Sequence, residues 1–215
     1  MATALKPYAV IFLPYLVLRG KLRSLLAGLV VIAVSLAVPA AFYGLPGLGT
    51  VLKEWIGTLS RSTPGLFDTQ DNVSLMGLFV KWTGDVRVSA VLLAVSIGIL
   101  ALLTLAAVIR GRKMTGAVPL EAGLLLVFIP LISPLGWDYT FLSAFLAVLI
   151  IFRNWDRFPA LGRAVLAANA AMIGLALYDL LGRKLYSGFM ALSIPTLNFL
   201  IIAAALFYLR AKSEA

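Results

Sequence analysis

The chain contains no cysteine and no histidine in 215 residues. Without Cys there is no disulfide, thiol nucleophile, lipoprotein-type anchor or thiolate metal site. Without His the commonest general base and the commonest metal ligand are both missing. Charge is scarce too: 13% of residues are Asp, Glu, Lys or Arg, against about 25% in a soluble domain. Acid–base chemistry therefore falls to nine acidic residues, or to Lys and Tyr. A phosphate-binding glycine loop, an HExxH and a GxSxG elbow are all absent.

What is abundant is apolar. Hydrophobic residues make up 62% of the chain and the mean hydropathy is +1.03, more than a water-facing surface tolerates. The solvent is lipid. Seven apolar runs can be read: Pro7–Leu18, Leu25–Tyr43, Val88–Ile109, Val118–Leu135, Trp137–Phe152, Ala164–Leu181 and Ile194–Leu209. The expected fold is an all-α, polytopic bundle of about seven membrane segments forming one integral membrane domain over 1–215. Crossing a hydrocarbon core takes about 20 helical residues, which Leu25–Tyr43 and Val88–Ile109 supply. Pro7–Leu18 is short, and Pro130 and Pro134 interrupt Val118–Leu135. Irregular backbone at membrane depth survives only where protein buries it or it lines a wet cavity.

The formal charge of +9 could suggest nucleic acid, but the cations form short clusters between apolar runs. Arg19, Lys21 and Arg23 follow run one; Arg110, Arg112 and Lys113 follow run three; Arg153, Arg157 and Arg163 follow run five; Arg210 and Lys212 close the tail. These eleven of the 18 cations lie on one side. In the 44–87 loop, Lys53, Arg61, Lys81 and Arg87 are balanced by Glu54, Asp68, Asp71 and Asp85. The positive-inside rule then places the C-terminus in the cytoplasm, and the 44–87 loop and the N-terminus outside. An odd span count, a short first span and an outward N-terminus without a signal peptide lead us to expect further helices upstream, with this chain the C-terminal part of a larger membrane protein.

Within the 44–87 loop, Leu48, Val51, Leu52, Trp55, Ile56 and Leu59 recur at helical spacing, which predicts an amphipathic helix in the interface plane. A second helix, capped by Asp71 or Asn72, is predicted to carry Leu75, Leu78, Phe79 and Trp82 on one stripe. Pro64-Gly65 marks a turn between them. The pair either roofs a membrane-embedded site or packs on the bundle.

Polar groups in costly places are the site candidates. Ser133-Pro134-Leu135-Gly136-Trp137-Asp138-Tyr139 joins two apolar runs on the outer side. Trp137 and Tyr139 suit the headgroup level, and Asp138 puts a carboxylate at the boundary. Aromatic faces stack on sugar rings and carboxylates accept sugar hydroxyls, so the turn reads as a sugar- or phosphate-facing rim, or as an ordinary interfacial turn. Lys6 could hold a lipid phosphate or snorkel. Asn169 and Asn198, inside apolar runs, are expected to form interhelical hydrogen bonds.

Several of these pieces resemble, in order, glycosyltransferase family 87, also known as domain of unknown function 2029, of the GT-C membrane glycosyltransferases. The block Lys6-Pro7, apolar run, Arg19-Gly20-Lys21-Leu22-Arg23 and long apolar helix is similar to a recurring family segment. Asn72-Val73-Ser74-Leu75, Gly77 and Lys81 resemble the family's Asn-Gln-Ser-Leu motif with its downstream Gly and cation, Val73 replacing Gln. Ser133-Pro134-Leu135-Gly136-Trp137 resembles its Ser-Pro-x-x-Trp turn, although Asp138 and Tyr139 stand where members often carry His. The resemblance covers most of 4–155. It implies hexosyl transfer, typically of mannose, from a polyprenyl-phosphate donor to a glycolipid or glycan on the outer face of a bacterial plasma membrane, with no cofactor and no metal. It further implies Lys6 and Lys81 near phosphate, Asn72 and Ser74 on sugar hydroxyls, and Trp137, Asp138 and Tyr139 at the sugar rim. The resemblance also implies a catalytic Asp in the family's first outer loop, which is expected to lie upstream of this chain. Two other readings stand beside it: a transporter or channel fragment, which the scarcity of charge within the spans disfavours, and a non-catalytic membrane remnant or scaffold.

Overall fold

The computed structural model describes residues 10–111 and 116–212. All regular structure among them is helical. The chain divides into two compact units, one ending at Leu66 and the other running from Phe67.

The first unit holds α1 (Phe12–Leu18) and α2 (Leu22–Ser62), followed by a 3-10 turn at Pro64–Leu66. Helix α2 breaks at Gly44, whose φ of 69° only glycine adopts without strain. The membrane-length run therefore ends at Tyr43. The predicted amphipathic helix follows from Leu45 as the second half of the same element. No residue of α2 is buried, the arrangement lipid favours for a helix apolar all round.

The second unit is a helical bundle. Its elements are α3 (Leu75–Thr83), α4 (Val86–Arg110), α5 (Ala117–Ile132), a 3-10 stretch at Asp138–Ala144, α6 (Phe145–Arg153), α7 (Ala160–Leu175), α8 (Tyr178–Ala191) and α9 (Ile194–Lys212). Helices α5 and α9 form the centre, with Leu124, Val127, Leu131, Leu206 and Leu209 fully buried. Helix α4 is peripheral: of its 25 residues only Ser89 and Val108 are buried. The second loop helix appears as α3, but its cap is Ser74 rather than Asp71 or Asn72, the Ser74 hydroxyl accepting from Gly77 N–H. Five of the nine α3 residues are buried, so α3 packs into the bundle.

Three helices are long and apolar enough to cross a membrane: Leu22–Leu66, Val86–Arg110 and Ile194–Lys212. Helices α7 and α8, bent by 106° at their junction, make a fourth if they count as one broken span. The expected seven segments are therefore not reached among the described residues. Val118–Leu135 shortens to the 16-residue α5, because Ser133 is already extended and Pro134 follows. Trp137–Phe152 splits into a 3-10 stretch and the nine-residue α6. Ala164–Leu181 ends at Leu175, and α8 breaks again at Gly182 with φ 67°.

Candidate functional site

The two motif stretches meet inside the second unit. Asn72 is buried, and its side-chain amide is fully engaged by backbone. It donates to Phe67 O at 3.1 Å and Pro134 O at 3.2 Å, and accepts from Ser74 N–H at 3.2 Å and Gly136 N–H at 3.1 Å. Val73 N–H donates to Gly136 O at 2.7 Å. The Ser74 hydroxyl donates to Pro134 O at 3.2 Å while capping α3. Two glycines allow this approach: a Cβ on Gly136 would lie 2.6 Å from Pro130 O, and one on Gly77 would lie 2.5 Å from Asn72 O.

Helix α3 also grips the α8–α9 junction. Lys81 Nζ donates to Gln70 O and Asn72 O at 2.8 Å each and to Met190 O at 3.1 Å. Trp82 Nε1 donates to Leu192 O at 3.3 Å, and Thr196 Oγ1 to Val73 O at 2.7 Å. Burial lowers the Lys81 ammonium from 10.5 to about 8, the nearby Asp71 carboxylate opposing the shift. At the junction Ser193 sits fully buried with φ 54°, a left-handed conformation that side-chain-bearing residues keep only where the surroundings enforce it.

A cavity of about 300 Å³ opens beside this junction. Asp138 and Tyr139 line one side, Tyr186 of α8 another, and Asn198 with the stacked pair Phe141 and Phe199 the remainder. Asn198 is 3% exposed, and its Nδ2 has no hydrogen-bond partner among the described residues. A buried amide donor left open costs free energy unless something fills it.

Residues 1–134 match the family model of glycosyltransferase family 87. The chain belongs to that family. No curated protein and no solved structure matches it. The matched range contains Asn72, Ser74, Lys81, Ser133 and Pro134. Gly136, Trp137, Asp138 and Tyr139 lie beyond it.

In this family 87 chain, the residues expected to contact substrate divide into two kinds. Asp138 and Tyr139 are exposed and line the cavity, whereas Trp137 is partly buried and does not. Asn72 and Ser74 are buried against backbone, and the three Lys81 N–H donors all reach carbonyls. In this fold the hydrogen-bonding groups of all three meet backbone of the 134–136 turn, of the approach to α3 or of the α8–α9 junction. Lys6 lies outside the described residues. The expectation of interhelical bonds for Asn169 and Asn198 also changes, since Asn169 Oδ1 and Asn198 Nδ2 both lack partners among the described residues.

Sequence reasoning passed over a buried ion pair. Glu121 of α5 and Arg210 of α9 meet at 3.3 Å, with side chains 0% and 2% exposed, and Arg210 Nη2 donates to Ala107 O of α4 at 2.6 Å. Arg210 is thus an internal cross-link of three helices rather than a tail cation.

Proposed function

We propose that the chain acts in transfer of a hexose, mannose by the family resemblance, from a polyprenyl-phosphate donor to a glycolipid or glycan on the outer face of a bacterial plasma membrane. The acceptor hydroxyl oxygen attacks the anomeric carbon and a new C–O bond forms. The bond from that carbon to the phosphate oxygen breaks, and the polyprenyl phosphate leaves with the electron pair. The acceptor proton passes to a carboxylate base, a role assigned to no residue of this chain. What the chain contributes is the sugar end of the site. Asp138 accepts from sugar hydroxyls, Tyr139 and Tyr186 give aromatic faces, and the open Asn198 amide donates to a ring or hydroxyl oxygen. Arg183, one turn ahead of Tyr186 on α8, provides a cation for the phosphate, which gains charge as the bond breaks.

The observation that carries the proposal is the Asn198–Asp138 cavity held in shape by the two family motifs. Arg110, Arg112, Lys113, Arg153, Arg157, Arg163 and Lys212 remain once the buried Arg210 is set aside, and by the positive-inside rule they favour a cytoplasmic C-terminus and an outer cavity. The Glu121–Arg210 pair is the kind of buried ionisable feature a transporter reading looks for, but the two charges are turned on each other. The test is transfer of radiolabelled mannose from polyprenyl-phosphate-mannose in membranes carrying the Asp138→Asn or Trp137→Ala chain. We expect at least a tenfold loss for Asp138→Asn, in the range general for a lost transition-state hydrogen bond, and a smaller one for Trp137→Ala. Wild-type rates for both would remove this turn from the active site.

A further inference from the structure

A second, larger cavity lies at the other end of α5 and α9. These helices run antiparallel: Pro195 and Asn198 of α9 share the first cavity with Asp138, which follows α5, whereas Gly116 and Pro119 at the start of α5 share the second with Lys212 at the end of α9. Sixteen residues of α5 separate the two ends by about 24 Å at 1.5 Å per residue.

The second cavity measures about 860 Å³, and its charged lining is Arg153, Arg157, Lys212 and Asp156. All four side chains are exposed. The backbone around them is ordered: Arg157 O accepts from Tyr208 Oη and Lys212 Nζ at 3.4 Å each, and Lys212 Nζ lies 5.1 Å from the Tyr208 ring centroid. The start of α5 adds first-turn N–H groups that no carbonyl of the same helix can satisfy, and the positive end of its dipole. Three cations, a helix start and one carboxylate, gathered at one end of the α5–α9 pair, suit one kind of ligand.

We propose that this cavity binds a phosphate ester bearing a free hydroxyl, supplied by the headgroup of an anionic glycerophospholipid. Arg153, Arg157 and Lys212 hold the phosphate oxygens, and Asp156 accepts from the hydroxyl. A bare phosphate would leave most of the volume empty, and a polyanion without a donor would face Asp156 unfavourably. The proposal does not depend on the sugar-transfer reading, because it uses a different cavity.

The test is lipid retention by the full chain in nanodiscs, read by native mass spectrometry. Phosphatidylglycerol is titrated into phosphatidylcholine, and glycerol 3-phosphate is added separately to pure phosphatidylcholine discs. We expect phosphatidylglycerol to be retained, with affinity falling about fivefold for each cation removed by Arg153→Gln, Arg157→Gln or Lys212→Gln. Glycerol 3-phosphate binding that is lost in the same variants would keep the site and assign it to a soluble ester. The separate substitutions guard against one that fails to fold, and thermal unfolding in pure phosphatidylcholine identifies it. Retention of phosphatidylglycerol no greater than that of phosphatidylcholine, or unchanged in all three variants, would overturn the proposal.

Discussion

The side-chain oxygen of Asn72 accepts a hydrogen bond from the backbone N–H of Gly136 at 3.1 Å, across 64 residues of sequence. With the Asn72 amide N–H groups on Phe67 O and Pro134 O, one side chain ties the entry to α3 to the turn that presents Asp138. Its removal therefore affects both the stability of the bundle and the shape of the first cavity.

Asn72→Ala leaves two backbone N–H groups and two carbonyls without this partner. Each buried polar group left unpaired costs about 1–3 kcal/mol, partly recovered by relaxation, so we expect a loss of roughly 3 kcal/mol in thermal or denaturant unfolding. Asn72→Asp keeps the acceptor but sets a carboxylate against two carbonyl oxygens, and it is expected to be no more stable than Asn72→Ala. An Asp variant near wild type would mean that the two carbonyl bonds contribute little.

The close approach at Gly136 gives a sharper contrast. A Cβ there would stand 2.6 Å from Pro130 O and 3.1 Å from Ser74 N, and both are backbone atoms that cannot swing aside. Gly136→Ala is expected to cost about 1–3 kcal/mol, typical of overpacking. Gly98→Ala, in α4 with nothing within 4 Å, is expected to be neutral or to gain up to about 1 kcal/mol from helix propensity. Paired unfolding curves check both.

The motif residues were legible as a cluster because their types and order carry the family pattern. Their hydrogen-bond partners were not, because a buried Asn engaged by backbone and an Asn lining a cavity read alike in sequence. Asn198 was visible as a polar residue in an apolar run, yet its open amide depends on residues from 138 to 199 meeting, which no local periodicity encodes. Glu121 was hidden by its apolar neighbours, and Arg210 by the convention that a cation past an apolar run faces water. The breaks at Gly44 and Gly182 depend on φ near 67–69°, and glycine within an apolar run is too common to predict them.

The Glu121–Arg210 pair is fully enclosed. Removing one member strands the other charge, at a cost of about 3–5 kcal/mol, while replacing both by apolar residues of similar size is often near neutral. We expect Glu121→Leu to destabilise by that amount and the Glu121→Leu, Arg210→Met double variant to recover most of it. A double variant no more stable than Glu121→Leu alone would show that the Arg210 bond to Ala107 O of α4 at 2.6 Å, rather than the ion pair with α5, carries the contribution of Arg210.

Lys81 makes a pH prediction. Its folded-state value is lowered from 10.5 to about 8. Between those values the unfolded chain holds a proton that the folded chain has released, so stability rises with pH across this window and is independent of this group below it. The comparison is thermal unfolding at pH 7.5 and 9.5 for wild type and Lys81→Met. The wild type should gain relative to the variant at the higher pH. Equal shifts would place the titration elsewhere.

Asn198 separates a ligand-binding role from a structural one. Its Nδ2 lacks a partner among the described residues, and the residue lines a cavity with Asp138 and Tyr139, so the fold gains little from that group. Removing a buried donor that nothing satisfies is neutral or stabilising, whereas removing one that meets a ligand lowers binding or turnover. Asn198→Ala is thus expected to match or exceed wild type in unfolding, while mannosyl transfer in membranes falls about tenfold, as for one lost hydrogen bond of roughly 1.4 kcal/mol. Binding sites hold such locally costly groups because the ligand completes them. If Asn198→Ala unfolds several degrees lower with unchanged transfer, the amide is instead part of the packing between α9 and its neighbours, and the cavity does not bind the sugar through it.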